Sequence, residues 1–542
     1  MSRPSPFALT GLFVVFIGIF GGLIYLKGGL YIDSHEGDVY HLLDVSFRMM
    51  QGQTPHLDFV TPLGIFAFLP LILTLKAGLP FGAAFIASQF LVSLLLLPAV
   101  VHAVSSRLSY RQAVIFGCVT FGLVLTMTYL HATSGVTVAM HYNRWAWAVA
   151  FIALLLAFFP TTGGAPARPR LDGVLIGALA TVLLLTKITF FVGLAPAMLG
   201  ALLVRRQATS IAFAFGAGVI LVGLVTLLLG VGFWQAYLSD LLNVVRSDVR
   251  PDVGLPFSEL LSGAQYLGVT VTAIFAALMI RRAGHDAMAL VVVFLLLPGF
   301  MLITYQNFGN DPTWLLFLAF LVLAYRPRSG FAEVLGVDLR AAMNVTALVA
   351  VVMNLPSIYT SAIAPLEHFA FDERRFMPFL DDPAHADFFV RRDRASLMTA
   401  SIALDEVADS VWAKYREPAQ RADMPEVGGV TFPMCELGAG SRAYMIEIAA
   451  QLKADGIPAG TQFFSTGLLS AFWLYADFEP LQNGAPWYYG DLTGLENADY
   501  VLIPKCVYID RVRGLMINEL LEANTPLTLR YDNALYALFS MD

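Results

Sequence analysis

The stretch LGIFAFLPLILTLKAGLP, residues 63–80, sets the topology of the whole chain, because it is long enough to cross a bilayer and its crossing would reverse the side of every later loop. Around it, apolar runs of spanning length fall at about 9–31, 82–104, 113–131, 143–160, 172–187, 190–204, 208–231, 264–280, 286–304, 312–325 and 341–360. Between them lie five short basic gaps, carrying Arg107 and Arg111, Arg168 and Arg170, Arg205 and Arg206, Arg281 and Arg282, and Arg326 and Arg328. With eleven spans and a cytoplasmic N-terminus all five gaps face the cytoplasm, as short Lys/Arg-rich loops do, and residues 32–81 and everything after 360 face outward. A twelfth span at 63–80 would put either the basic gaps outside or a carboxylate-rich loop inside. Interrupted by Pro70, Lys76 and Pro80, this stretch is therefore expected to lie along the membrane surface or against the bundle.

Composition agrees with a polytopic membrane protein. Of 542 residues, 57% are hydrophobic and 13% charged, and the mean hydropathy is +0.69. The net charge of −7 is spread as acids in the first loop and C-terminal third and bases in the short gaps, which makes nucleic acid an unlikely partner. The run from Phe7 to Tyr31 is too long for a signal-peptide core and is read as a retained transmembrane helix.

Immediately after it, YIDSHEGDVYHLLDVSFRMMQGQTPHLDFVTPLG (31–64) gathers Asp33, Glu36, Asp38, Asp44 and Asp58 against a single Arg48. Val39, Leu42, Leu43, Phe47 and Met50 share one helical face and His41, Asp44, Arg48 and Gln51 the other, which predicts a short interfacial helix stopped by Gly52. Asp38 has an ordinary use as the N-cap of that helix, and Asp58 as a turn former.

An acid at the end of the first span, a helix closed by Gly, a G-x-x-P-x-x-D-F turn and a P-L-G step resemble the first external loop of the GT-C glycosyltransferases. These integral-membrane enzymes include protein O-mannosyltransferases and aminoarabinose transferases. The overall plan is similar too: an acidic first external loop, about eleven spans and a C-terminal soluble domain on the same side. The resemblance implies a reaction at the outer face of a bacterial inner membrane, moving a sugar from a polyprenyl-phosphate carrier to a lipid, glycan or protein acceptor. An inverting transfer needs a carboxylate to take the acceptor proton and cations to stabilise the leaving phosphate. The family acid sits in a D-E or D-E-G pair, where this chain reads H-E-G-D, so Glu36 and Asp38 both remain candidates for the base.

Arg144, at the outer start of the fourth span, and Lys187, at the outer end of the fifth, are the candidate phosphate-binding cations; ionisable residues at membrane depth are costly and either functional or snorkelling. Asp33, His56, Asp58, Tyr142, Asn143, Tyr305 and Asn307 fall on the same side and are candidates to line the substrate site. His35, His41 and His56 lack H-x-x-x-H spacing, so no tightly bound transition metal is expected, while the acidic loop leaves room for a divalent ion of the kind some oligosaccharyl-transferring relatives use.

Residues 361–400 read as a polar connector and 401–542 as a soluble α/β domain. Strands are expected in GVTFPMCEL, TQFFST and DYVLIPKCVY and a hairpin in TLRYDNALYALFS, with helices in SRAYMIEIAAQLKADG and IDRVRGLMINELLEAN. An oxidising compartment permits a disulfide between Cys435 and Cys506, each of which follows an expected strand. The aromatic run FWLYADFEPLQNGAPWYYGDL has three readings, stacking on a sugar, a place at the membrane interface and packing in the core, of which core is the safer. A transporter or flippase of lipid-linked sugars, or a non-catalytic envelope-assembly subunit, are the alternatives. A carrier would concentrate polar residues at mid-depth, whereas here they collect at one face.

Overall fold

The computed structural model describes residues 5–129, 135–162, 167–249, 258, 264–306, 311–327, 333–334, 336–407, 410–416 and 424–541. Every expected span falls on a helix: α1 (Pro6–Tyr25), α4 (Phe81–Arg107), α5 (Tyr110–Leu125), α6 (His141–Phe158), α7 (Pro169–Thr186), α8 (Ile188–Val204), α9 (Ala208–Leu229), α11 (Ala264–Arg282), α12 (Asp286–Gln306), α13 (Trp314–Ala324) and the pair α14 (Leu339–Met353) and α15 (Leu355–Ala370). The remaining labels mark α2 (Glu36–Met50), α3 (Leu69–Lys76) and α10 (Val231–Arg246). Among the described residues five helices are long and apolar enough to cross a membrane, six if the α14–α15 pair, bent by 52°, is one span; α5, α8 and α13 are shorter apolar helices. α9 makes the need for lipid plain: its 22 residues have a spanning-window hydropathy of 2.5 and none of that window is buried inside the protein.

One end of the bundle gathers the basic gaps. Arg107 donates to Asp172 Oδ2 (2.7 Å), Arg205 to the carbonyls of Leu156 (3.1 Å) and Ala157 (2.7 Å), and the Tyr325 hydroxyl to the Phe158 carbonyl (2.7 Å). The Arg205 and Tyr325 contacts satisfy last-turn carbonyls of α6 that have no partner within their own helix.

The opposite end carries the acidic loop. α3 has only eight residues, about 12 Å of helix, too short to cross a bilayer, and it packs its buried Leu71, Ile72 and Leu75 with α2 and α4. The first span ends sooner than its hydropathy predicts. The helix stops at Tyr25, and Leu30–Ile32 form a strand, β1, because the buried Leu30 and Ile32 pack in a small sheet with β2 (Phe376–Pro378) and β3 (Phe388–Arg391) of the connector. β1 runs parallel to β3, and β2 antiparallel to it.

The C-terminal region is α/β. A four-stranded sheet has the order β6 (Phe463–Ser465), β7 (Tyr500–Pro504), β9 (Tyr536–Ser540), β8 (Thr528–Asp532), with β6 parallel to β7 and the rest antiparallel; α16 (Ser441–Ala454) and α17 (Asp510–Glu522) accompany it. GVTFPMCEL does not join this sheet. Its second half, β5 (Cys435–Ala439), pairs antiparallel with β4 (Thr399–Ile402). Cys435 and Cys506 are joined by a disulfide, their Cα atoms 4.7 Å apart, and the backbones of Cys435 and Leu437 bond Val507 beside it.

One hydrophobic cluster runs through α2, α3, the connector sheet and the C-terminal sheet. It corrects the picture of α2 as a helix lying in the interface with a wet polar face. Asp44 and Arg48 on that face are wholly buried, bonded to each other (2.5 Å), to Trp473 Nε1 (2.8 Å) and to the Leu481 carbonyl (2.7 Å) of the C-terminal region. A buried charge pair survives only when its remaining hydrogen-bonding capacity is met, and both new partners come from a segment more than four hundred residues away. Gly52 does end α2, at φ +96.

Candidate functional site

α2 starts one residue before Gly37, not at Asp38. Its N-cap is His35, in a left-handed conformation (φ 64), and Asp38 lies inside the first turn with Glu36, where both carboxylates meet the positive end of the helix dipole. Asp38 is thus not the cap. Two residues apart on a helix, the two acids point in different directions. Glu36 is buried and forked by Arg394 of the connector, Nε to Oε1 (2.5 Å) and Nη2 to Oε2 (2.7 Å), a bidentate pair that holds the guanidinium above its usual range. Asp38 is half-buried and borders two adjoining cavities.

The first cavity, of about 780 Å³, lies between α2 and the C-terminal region. Its wall includes His35 stacked on Tyr129 (centroids 4.8 Å apart, planes at 6°), Glu36 with Arg394, Tyr508 and Arg511. Tyr508 donates to Ser441 Oγ (3.2 Å), and burial pushes its hydroxyl well above the usual range, so it stays a neutral donor. Arg511 is fixed on the carbonyls of Asp248 (2.8 Å) and Val249 (2.6 Å).

The second cavity, of about 380 Å³, is an apolar groove between the ends of α7, α8 and α12 and one face of α10. Leu238, Leu241, Leu242 and Val245 recur along α10 at the i, i+3, i+4, i+7 spacing of a helical stripe and line it. Lys187 stands at its head, in the extended break between α7 and α8, with Nζ donating to Asn143 Oδ1 (3.1 Å) and lying 5.4 Å from the Tyr142 ring centre. Gly64 explains the P-L-G step: its N–H donates to the Thr186 carbonyl (3.2 Å), and a Cβ there would sit 2.2 Å from the Leu185 carbonyl oxygen. The loop can pass this close to the end of α7 only because the residue is glycine. Asp38, Met140 and Trp487 border both cavities, so the two spaces meet at Asp38.

Asp38, Glu36, Lys187 and Tyr142 line these spaces, and Asn143 supports Lys187 from a buried position. Other candidates do not. Arg144 is wholly buried on the face of α6 that carries Trp147 and Phe151, none of its guanidinium nitrogens has a hydrogen-bond partner among the described residues, and it borders neither cavity. His56 is buried, Nδ1 to Asp240 Oδ2 of α10 (2.7 Å), with its backbone at φ 72. Asp58 Oδ2 accepts the Thr54 N–H (2.7 Å), the turn use. Asp33 and Tyr305 also stand outside both cavities, and burial pushes the Asp33 carboxyl upward. Asn307 lies outside the described residues.

Among the described residues no three His, Cys, Asp or Glu side chains converge, and three of the five loop acids are held singly, Glu36 by Arg394, Asp44 by Arg48 and Asp58 by the Thr54 N–H. Among the described residues the loop thus offers no converged set of three such ligands.

Several lining residues escaped the sequence reading. Arg394, Tyr508 and Arg511 sit in segments without a motif, while the aromatic run divides between its readings: Trp487 and Tyr489 border the cavities, and Trp473 and Phe478 are core. α10 had a detectable signal in its leucine spacing.

No family model matches the chain, and no curated protein does. Among solved structures it is similar to the crystal structure of ArnT from Cupriavidus metallidurans in the apo state, over 99% of this chain and 98% of that one, at 12% identity and a TM-score of 0.41. It is similar also to ArnT from Cupriavidus metallidurans bound to undecaprenyl phosphate, over 98% of both chains, at 12% identity and a TM-score of 0.40.

Proposed function

We propose that this chain is an inverting membrane glycosyltransferase that moves a sugar from a polyprenyl-phosphate carrier to a hydroxyl of its acceptor, with Asp38 as the base. The observation that carries the reading is the meeting of two unlike cavities at one carboxylate: an apolar groove with a lysine at its head, and a wider space lined by polar and aromatic groups. The polyprenyl chain lies in the groove against α10. Its phosphate sits at Lys187, where an ammonium in a water-poor site stabilises the charge that builds on the leaving oxygen. The acceptor enters the wider space. Its hydroxyl gives its proton to the Asp38 carboxylate while its oxygen attacks the anomeric carbon; the bond from that carbon to the phosphate oxygen breaks, and polyprenyl phosphate leaves with the electron pair. Glu36 is a positioning residue, committed to Arg394, and Arg144 is given no part in phosphate binding.

The basic gaps gathered at the far end of the bundle support placing that end in the cytoplasm, and with it the N-terminus; the loop, both cavities and the C-terminal region then face the outer side of the inner membrane. The test is transfer from a polyprenyl-phosphate sugar by the purified full chain. Asp38→Asn is expected to lower turnover about 10²- to 10⁴-fold, the contribution of a positioned general base, with the protein still folded. Turnover unchanged in that variant would remove Asp38 from the chemistry.

A further inference from the structure

On the reading of the wider cavity as the acceptor site, we propose that its ligand is an uncharged saccharide, rather than a phosphate-bearing glycolipid headgroup or a peptide. Charge is the first argument. The wall holds two carboxylates, Glu36 and Asp38, and two guanidiniums, Arg394 and Arg511, so its formal charge sums to zero. Neither arginine is poised for an incoming anion, since Arg394 forks Glu36 and Arg511 is clamped on two backbone carbonyls. A site for phosphate needs uncompensated cationic charge, and a further anion beside Glu36 and Asp38 would be repelled.

Shape is the second argument. The stacked His35–Tyr129 pair and Trp487 offer flat aromatic surface of the kind that packs against the C–H faces of sugar rings, while Ser34, Ser441 and the Tyr508 hydroxyl supply neutral donors and acceptors for ring hydroxyls. At about 780 Å³ the space lies in the upper part of the range for small-molecule sites and has room for more than one ring.

The backbone supplies the third. Peptides are commonly captured by adding a strand to an open sheet edge. The strand at this wall, β5, is bonded on one side to β4 and on the other to Val507, through Leu437 N to the Val507 carbonyl (2.8 Å) and Val507 N to the Cys435 carbonyl (3.1 Å). Over Cys435–Leu437 both of its edges are taken, and of the residues that line the cavity this covers Leu437, while Ala439 is paired on one side with Thr399.

The experiment is equilibrium binding of the full chain in lipid nanodiscs to linear neutral hexose and pentose oligosaccharides, to the same oligosaccharides bearing phosphate or uronate, and to hydroxyl-rich peptides. Saturable binding of at least one neutral oligosaccharide is expected, weakened about tenfold by Tyr129→Ala and restored by Tyr129→Phe, which keeps the aromatic face. Should Tyr129→Ala fail to fold, Tyr508→Phe takes its place, with a smaller loss expected from one missing hydroxyl. Binding only of the charged oligosaccharides, only of peptides, or of no probe overturns the proposal. Asp38-dependent release of sugar from a polyprenyl-phosphate sugar in the same preparation tells the two claims apart: if that persists while neutral saccharides do not bind, the acceptor class is wrong and the transferase reading stands; if both fail, both are wrong.

Discussion

Glu36 and Asp38 occupy the same helical turn and yet have separate uses. Glu36 has both oxygens on one guanidinium and joins the first loop to the connector, 358 residues further along. Asp38 stands where the groove and the wider cavity meet. Glu36→Gln is therefore expected to cost about 1–2 kcal/mol of stability, the range for a charge-assisted bond partly screened by solvent, while the folded fraction keeps most of its turnover. Asp38→Asn is expected to do the reverse. Thermal unfolding and single-turnover transfer measured on the same preparations separate the two; loss of chemistry in Glu36→Gln with stability intact would exchange the roles. At Lys187, substitution by alanine is expected to cost about 10- to 100-fold in kcat/KM for the donor, in line with about 1.5–3 kcal/mol for a hydrogen bond to a charged group. As candidates, the two acids and Lys187 are legible in the sequence. A carboxylate beside a span and a lysine at its end are costly enough at membrane depth to stand out. Arg394 was not legible, because nothing local distinguishes the partner of a buried acid from any other connector arginine.

α10 forms one wall of the groove, and its position rests on few contacts. His56 and the Thr61 N–H both reach Asp240 Oδ2 (2.7 and 3.2 Å), the Tyr237 hydroxyl donates to the Leu184 carbonyl (2.8 Å), and Arg511 holds the backbone just beyond its end. Burial pushes the Asp240 carboxyl upward against the lowering effect of the His56 bond. His56 thus ties the first loop to α10 and borders neither cavity. Asp240→Ala is expected to raise KM for a long-chain polyprenyl donor several-fold while changing kcat little. Comparing long-chain with short-chain donors checks this, since a general loss of folding would lower kcat for both. The helix itself was missed as an element. Leu238, Leu241, Leu242 and Val245 keep helical spacing with Ser239, Asp240 and Asn243 at the intervening positions, but the segment follows Gly230 and is too short and too polar for a span, so a reading by spans passes over it. The stretch 63–80, whose loop charges and Pro70, Lys76 and Pro80 point to a place along the surface or against the bundle, holds only the eight-residue α3, packed on α2 and α4.

Across the whole molecule, the acidic loop and the C-terminal region share one core, and the wider cavity exists only between them. Helices of the bundle were readable from hydropathy and the α/β elements from their periodicity, but the closure of one on the other was not. It depends on pairs such as Asp44–Trp473 and Glu36–Arg394, which no local pattern encodes. The Cys435–Cys506 disulfide pins β5 to the end of β7 beside that cavity, closing a loop of 71 residues. Reduction is expected to cost about 2–4 kcal/mol of stability in the C-terminal region and to lower the unfolding temperature of membranes from oxidising growth; an unchanged temperature, with both thiols shown to be free after reduction, would deny the bond a structural role.

For the proposed transfer the donor's phosphate must sit in the groove within reach of both Lys187 and Asp38. A structure of the full chain with a polyprenyl-phosphate sugar analogue bound tests this most directly. It is expected to show the phosphate hydrogen-bonded to Lys187, the isoprenoid chain along Leu238, Leu241 and Leu242 of α10, and the anomeric carbon facing Asp38 from the groove side. A phosphate bound at the opposite end of the bundle, or an anomeric carbon turned away from Asp38, would contradict it.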